Sequence, residues 1–298
     1  MIKVTFLGTS YAIPTPERNH TGILLSYGAE NILIDCGEGT QRQFRIAKIN
    51  PCKLTRILIT HWHGDHVLGL PGVLQTLSLT GYSKILHIYG PHGIKKHLEN
   101  IIRTFTFQLN YKIVVQEVSN KVFETDDFVI EAKPMTHSII CNAYSFIKKG
   151  KIRIDKNKLK KIKDISIENL KKLKQGKDIT HNRKKYKNKD FTFKEDDKKV
   201  SFVLDTSINN KIVGFVKNSD LLVCEATFHS EITSEASKKK HLTAKQAGEI
   251  TKKSNSKKLI ITHISDRYKT NLQRLLDDAK KVFKNTTMAK DFDVVELK

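Results

Sequence analysis

The 298 residues include only four cysteines, one tryptophan and six prolines, and no apolar run approaches the roughly 18 residues of a membrane span. Cys36, Cys52, Cys141 and Cys224 form no CxxC pair, in a chain too long to need disulfide staples, which reads as buried thiols kept in a reducing compartment. The opening Met1-Ile-Lys-Val-Thr-Phe-Leu7 alternates like a strand and carries no signal-peptide core or cleavage site. These absences argue against a disulfide scaffold and a membrane protein, and leave the expectation of a soluble, cytoplasmic chain without a membrane partner. Acidic residues are also scarce: 31 Asp and Glu stand against 53 Lys and Arg, a net charge of +22. An excess of that size favours a polyanionic partner such as nucleic acid.

The charge is unevenly placed. Between Lys148 and Val200, 53 residues carry 21 basic and 8 acidic side chains, so +13 of the +22 sits in less than a fifth of the chain. Residues 148–199 read as a Lys-rich arm inserted into a single core domain spanning 1–298, with helical spacing only in 156–163 and 166–174. The bland alternative is a solvated surface loop.

Elsewhere, strand-like and helix-like stretches alternate. Strands are expected at 2–7, 22–27, 31–34, 56–60, 85–89, 112–118, 128–133, 142–149, 200–204, 221–224 and 258–262, and helices at 38–48, 67–79, 91–104, 243–253 and 271–283.

His61-Trp62-His63-Gly64-Asp65-His66 places three imidazoles and a carboxylate in six residues straight after a buried strand, the donor set zinc prefers. Gly64 is expected to let the loop bend toward two centres. One loop cannot complete two sites, so further ligands should lie at other strand ends. His137, Asp205 and His263 each follow an expected strand and bring the donor count to seven. Asp35-Cys-Gly-Glu-Gly-Thr lacks the spacing of a nucleotide-binding glycine loop, and Asp35 reads better as support for the metal histidines. The remaining histidines, His20, His87, His92, His97, His181 and His229, and the single Trp62 read as surface or packing residues.

Together with Phe6-Leu-Gly-Thr9, Asp35 to Gln41, Thr136-His137-Ser138, Asp205-Thr206, Glu225-Ala-Thr-Phe228, His241-Leu-Thr-Ala244 and His263-Ile-Ser-Asp-Arg-Tyr268, this motif resembles the ribonuclease Z (tRNA 3′-endonuclease) family of the metallo-β-lactamase superfamily. The resemblance covers nearly the whole chain. It implies an α/β fold, the αββα sandwich, and two Zn2+ per subunit: one held by His61, His63 and His137, the other by Asp65, His66 and His263, with Asp205 bridging. It further implies that Asp65 takes a proton from the attacking water, that His241 protonates the leaving oxygen with Glu225 orienting it, and that Ser265, Arg267, Arg18 and Asn19 handle phosphate and RNA. Precursor tRNA is the implied substrate, the inserted arm its exosite, and a homodimer the implied assembly.

The sequence departs from the family pattern in three places. The N-terminal Pro-x-Lys-x-Arg-Asn loop is Pro14-Thr-Pro16-Glu-Arg18-Asn19, without the lysine. Cys224 precedes Glu225 where the family has histidine, and the arm has no Gly-Pro pair. Two competing readings remain: another binuclear-zinc hydrolase of the superfamily, such as a small phosphodiesterase, and a non-catalytic RNA-binding protein on the same scaffold.

Overall fold

The structure, a computed structural model, describes residues 1–106 and 108–298. It divides into two compact units, one of Met1–Phe123, Ile130–Phe146 and Lys199–Lys298, the other of Glu124–Val129 and Ile147–Lys198.

The first unit is built on two seven-stranded sheets. In one, Val294–Leu297, Ile2–Gly8, Gly22–Tyr27 and Glu30–Ile34 run antiparallel, and Glu30–Ile34, Arg56–Leu58, Leu86–Gly90 and Ile113–Glu117 run parallel. In the other, Thr286–Met288, Leu259–Thr262, Leu221–Glu225 and Lys198–Val203 are parallel neighbours, followed by Cys141–Lys148, Phe128–Met135 and Lys121–Glu124. Strands of β-branched and leucine residues buried on both faces fit such central positions.

On one face of the first sheet, Leu24, Leu33, Ile57 and Ile88 pack against Phe44 of helix Thr40–Ile46, Val73 and Leu77 of helix Leu70–Leu79, and Leu98 of helix Ile94–Thr104. On one face of the second, Leu222, Cys224, Leu259 and Ile261 pack against Ile212, Ala247, Ile250 and Leu275 of three further helices. The alternate residues, among them Ile23, Leu25, Ile32, Phe202, Val223 and Ile260, are buried as well, on the opposite faces. The Tyr144 hydroxyl donates to the Ile59 carbonyl at 2.7 Å, and the Tyr27 and Phe146 rings meet at 5.5 Å, tying one sheet to the other. Helix, sheet, sheet, helix is thus the αββα order.

The parallel register decides where chemistry gathers. Ile34 stands opposite Leu58, and Cys224 opposite Ile261, so strands of each sheet end at a common edge. Functional groups on the loops after parallel strands collect there.

The basic segment contains more structure than its spacing suggested. Helices Lys156–Leu159 and Ile167–Lys174 fall within the expected stretches, but two ribbons, Ile152–Ile154 with Thr192–Lys194 and Ile179–His181 with Lys184–Tyr186, were not legible in so polar a sequence. Ile162, Leu173 and Ile179 are buried and give this unit a small core of its own. All four thiols are free, and three of them are buried.

Candidate active site

His61, His63, Asp65 and His66 follow strand Arg56–Leu58, while His137, Asp205 and His263 follow strands Phe128–Met135, Lys198–Val203 and Leu259–Thr262. The structure brings all seven together in two groups that share Asp205. His61, His63, His137 and Asp205 form one, and Asp65, His66, His263 and Asp205 the other. In the first, His61 Nε2 lies 2.9 Å from His63 Nδ1 and 3.5 Å from Asp205 Oδ2, and His137 Nε2 lies 3.2 Å from His63 Nδ1. In the second, His66 Nε2 is 3.3 Å from both Asp65 Oδ2 and His263 Nε2, and His263 Nε2 is 3.1 Å from Asp205 Oδ1. A tetrahedral ion with bonds of about 2.0–2.2 Å holds its ligand atoms about 3.3–3.6 Å apart. The observed separations, 2.9–3.5 Å, fall at or slightly below that spacing.

The outer nitrogens fix which way the lone pairs point. His66 Nδ1 donates to Asp35 Oδ2 at 2.6 Å, and His137 Nδ1 to the Lys240 carbonyl at 3.1 Å. His61 Nδ1 meets the Thr60 hydroxyl, which itself donates to Asp35. His263 Nδ1 meets the Thr227 hydroxyl, which donates to Glu225. His63 is reversed, with Nδ1 inward and Nε2 3.4 Å from Ser138 Oγ. Each imidazole therefore has an acceptor for its outer N–H, which leaves the inner nitrogen as a bare lone pair. Burial keeps the imidazoles of His61, His63 and His137 below their ordinary pKa, in the neutral form a metal requires. Asp205 Oδ1 is buried without a hydrogen-bond donor. Acceptors thus face acceptors across both gaps, an arrangement a cation relieves, and the residues present fit a metal.

Three of the residues at this edge adopt left-handed backbone: Asp35 at φ 56°, Asp205 at φ 43° and His263 at φ 59°. Such conformations cost about 1–3 kcal/mol each and persist where the surroundings over-determine them. Gly64 does not have this geometry. It opens the one-turn helix Gly64–Val67, so helix formation, and not a left-handed glycine, separates Asp65 and His66 from His61 and His63. The glycine of the Asp35 loop that matters is Gly37. A Cβ there would stand 2.3 Å from the Asp65 carbonyl oxygen, because Cys36 bonds backbone to backbone with His66 at 2.8 Å and Gly69 at 3.0 Å. That motif is a close-approach device.

Beside the donors lies a cleft of about 470 Å3, lined in part by Tyr11, Ser138, Lys239 and His241. His241 Nδ1 is 3.0 Å from Glu225 Oε2 and 4.0 Å from Asp205 Oδ2. Burial opposes charge on this ring, but the Glu225 carboxylate outweighs it and lifts the imidazole to about 9. Tyr11 stands edge-on to His241 at 5.2 Å and to His263 at 5.3 Å. Sequence reasoning missed Tyr11, Lys239, Thr60 and Thr227. The threonines' signal was their place one or two residues from a strand-end acid or ligand; Tyr11 and Lys239 carried none.

The four expected phosphate and RNA residues do not join this cluster. Arg18 is buried, and Nη1 donates at 2.7 Å to both the Thr9 hydroxyl and the Ala289 carbonyl, so it clamps the fold and has no face for RNA. Asn19 Nδ2 donates to the Glu38 carbonyl at 2.7 Å, a loop tie. Ser265 is buried and caps the short turn Asp266–Tyr268. Arg267 is exposed, but both its terminal nitrogens are held by Glu235 at 3.0 and 2.8 Å.

The β-lactamase superfamily domain model matches residues 30–264. Ribonuclease Z of Nanoarchaeum equitans is 36% identical over 295 residues, covering 99% of this chain and 93% of that protein. Ribonuclease Z of Methanothermobacter thermautotrophicus is 37% identical over 300 residues, covering 100% and 97%. The crystal structure of the short form of human tRNase Z superposes with a TM-score of 0.73 at 26% identity, covering 99% of this chain and 98% of that one. Identity of this extent along the whole length decides against the competing readings of the sequence, and the chain belongs to the ribonuclease Z family of the β-lactamase superfamily.

Proposed function

We propose that this cleft hydrolyses precursor tRNA at the 3′ end of the mature sequence, releasing the trailer and leaving a 3′-hydroxyl on the tRNA. Two zinc ions would be held by His61, His63 and His137 on one side and by Asp65, His66 and His263 on the other, with Asp205 shared. The observation that carries the reading is the pair of four-donor groups joined through Asp205, with the Glu225–His241 pair against it. Five imidazoles and two carboxylates at tetrahedral spacing favour zinc over the harder divalent ions. When bound, the ions supply Lewis acidity, making water acidic enough to attack at neutral pH and neutralising phosphoryl charge.

The chain's own residues handle the protons. Asp65 lines the cleft, and its carboxylate can accept the proton of the attacking water. The water oxygen joins phosphorus as the bond from phosphorus to the tRNA 3′ oxygen breaks. His241, charged at neutral pH through Glu225, passes its proton to that oxygen. Lys239 lines the cleft but is ion-paired with Glu235 at 3.2 Å, so it would meet a flanking phosphate only by leaving that partner.

The Lys-rich unit would grip the tRNA elbow, because charge without a reading motif contacts backbone and shape. The chain would work in the cytoplasm as a homodimer. Deleting residues 150–198 should raise KM for precursor tRNA sharply and spare hydrolysis of a small phosphodiester; equal loss on both would count against the grip. The central test is cleavage of a 3′-extended tRNA by wild type and by Asp65→Ala, with zinc counted per chain. Wild type carrying two zincs should cut and the variant should not; an intact substrate with the zinc-loaded wild type would end the reading.

A further inference from the structure

A second groove, of about 340 Å3, opens beside the metal cleft and is lined mainly by Trp62, His63, His92, His97, Ile139 and Ile140. None of these except His63 has a part in the chemistry above. The Trp62 and His97 rings stack at 4.8 Å with an interplanar angle of 16°, although His97 is exposed. The facing wall is two consecutive isoleucines, 39% and 57% exposed. The His92 ring is fixed at the groove by Glu117 at 2.8 Å. The described lining holds no lysine or arginine, so it has nothing to offer a phosphate. Stacked aromatics opposite exposed aliphatic side chains suit a flat, apolar-faced ligand.

The groove is continuous with the cleft. His63 lines both, and Ser138, which lines the cleft and stands 3.4 Å from His63, is followed directly by the two isoleucines of the groove. A strand with one phosphate at the metal donors would therefore have its adjoining base at the groove. Its volume is at the small end of the range for ligand sites, about 300–1,000 Å3, which fits one nucleoside and not a run of them.

The position of the proton donor says which nucleoside. The oxygen that leaves belongs to the last tRNA nucleotide and must meet His241, whose ring neighbours are Tyr11, Phe228, His137 and His263. The groove adjoins His63 instead, and the nucleotide on the other side of the scissile phosphate is the first of the trailer.

We infer that the Trp62–His97 stack and the Ile139–Ile140 wall form a subsite for the base of the first trailer nucleotide. The inference rests on the tRNA-cleaving reading and adds a recognition element to it. Stacking of this kind tolerates any base, so the subsite registers the presence of a trailer base more than its identity.

The test is a double-mutant cycle between protein and RNA. Wild type, Ile140→Ala and His97→Ala are assayed on precursor tRNA with an intact or an abasic first trailer nucleotide, and on one abasic at the last tRNA nucleotide. Removing the trailer base should lower kcat/KM of wild type about tenfold, the scale of one lost stacking contact. Each substitution should cost about as much on intact RNA and little more on RNA lacking that base, because both changes remove one contact. The upstream abasic site should show no such coupling. Losses that multiply on the trailer-abasic substrate, or coupling to the upstream position, would overturn the subsite. Failure of zinc-loaded wild type to cut even the intact precursor would overturn the function as well, and is recognisable as a different result.

Discussion

Asp35 and Glu225 occupy corresponding places on opposite sheets and are wired alike. Each lies at the end of a parallel strand, and each carboxylate receives one backbone N–H, one threonine hydroxyl and one histidine Nδ1. For Asp35 the donors are Thr60 N and Thr60 Oγ1, both at 2.7 Å, and His66 at 2.6 Å. For Glu225 they are Thr206 N at 2.5 Å, Thr227 Oγ1 at 2.6 Å and His241 at 3.0 Å. Through its threonine each also reaches a second imidazole, His61 or His263. The difference lies in where the directly bonded histidine points its other nitrogen. His66 turns Nε2 onto Asp65, Asp205 and His263, into a donor cluster. His241 lines the open cleft instead. On the proposed mechanism the same acid–imidazole pair would fix a metal ligand on one sheet and charge a proton donor on the other, with the surroundings of the far nitrogen deciding which.

The comparison breaks most visibly at Asp35. Asp35→Ala would strand the buried His66 and Thr60 donors together, at a cost of about 3–5 kcal/mol if the broken pair behaves as a buried charge pair does. The expected result is loss of zinc from the purified chain and a large fall in Tm, measured by metal analysis and thermal melting. Full zinc content in a stable variant would show that Asp35 does not orient the ligands. His241→Asn should have the opposite profile. Zinc and Tm should stay near wild type while kcat on 3′-extended tRNA falls about 10²–10⁴-fold, the usual contribution of a general acid. Loss of zinc there would place His241 among the ligands, as its proximity to Glu225 and His263 in a third donor group would permit.

How much of this was legible in the sequence follows from where its signal is stored. The seven donors were readable because histidine and aspartate after buried strands announce themselves in one dimension, and the strands Arg56–Leu58 and Leu259–Thr262 are short apolar runs. Thr60 and Thr227 were legible only as neighbours of His61 and Glu225; what each does depends also on a partner about 25 or 36 residues away, Asp35 or His263, which the fold supplies. Arg18 shows the reverse error. Its motif suggested RNA, but the guanidinium closes onto Ala289, 271 positions later, a contact no local pattern encodes. The left-handed backbone at Asp35, Asp205 and His263 was equally invisible, because it is imposed by the surrounding packing and not by local propensity. In the Lys-rich unit, charge masked the two ribbons and the buried Ile162, Leu173 and Ile179.

The smallest effect is the most specific to the Glu225 side. The Glu225 carboxylate lifts His241 to about 9 from an ordinary value of 6.5, so the acid form persists through neutral pH. A proton donor must be protonated, and kcat should therefore fall as pH rises through that region. Stability follows the same sign: a pKa raised by folding contributes fully below 6.5 and is lost as pH climbs toward 9. Glu225→Gln keeps the size of the side chain and an oxygen for Thr227 but removes the charge, so the alkaline limb should move down toward 6.5. At pH 6 the variant should approach wild type more closely than at pH 8, where about a thirtyfold gap is expected because an imidazole titrating near 6.5 is then about 1.5 units above its pKa while one near 9 is still mostly protonated. The readout is the ratio of the two kcat profiles between pH 6 and 9. A ratio constant across that range would mean that Glu225 only holds His263 and Thr206 in place, and the functional division between the two carboxylates would fall.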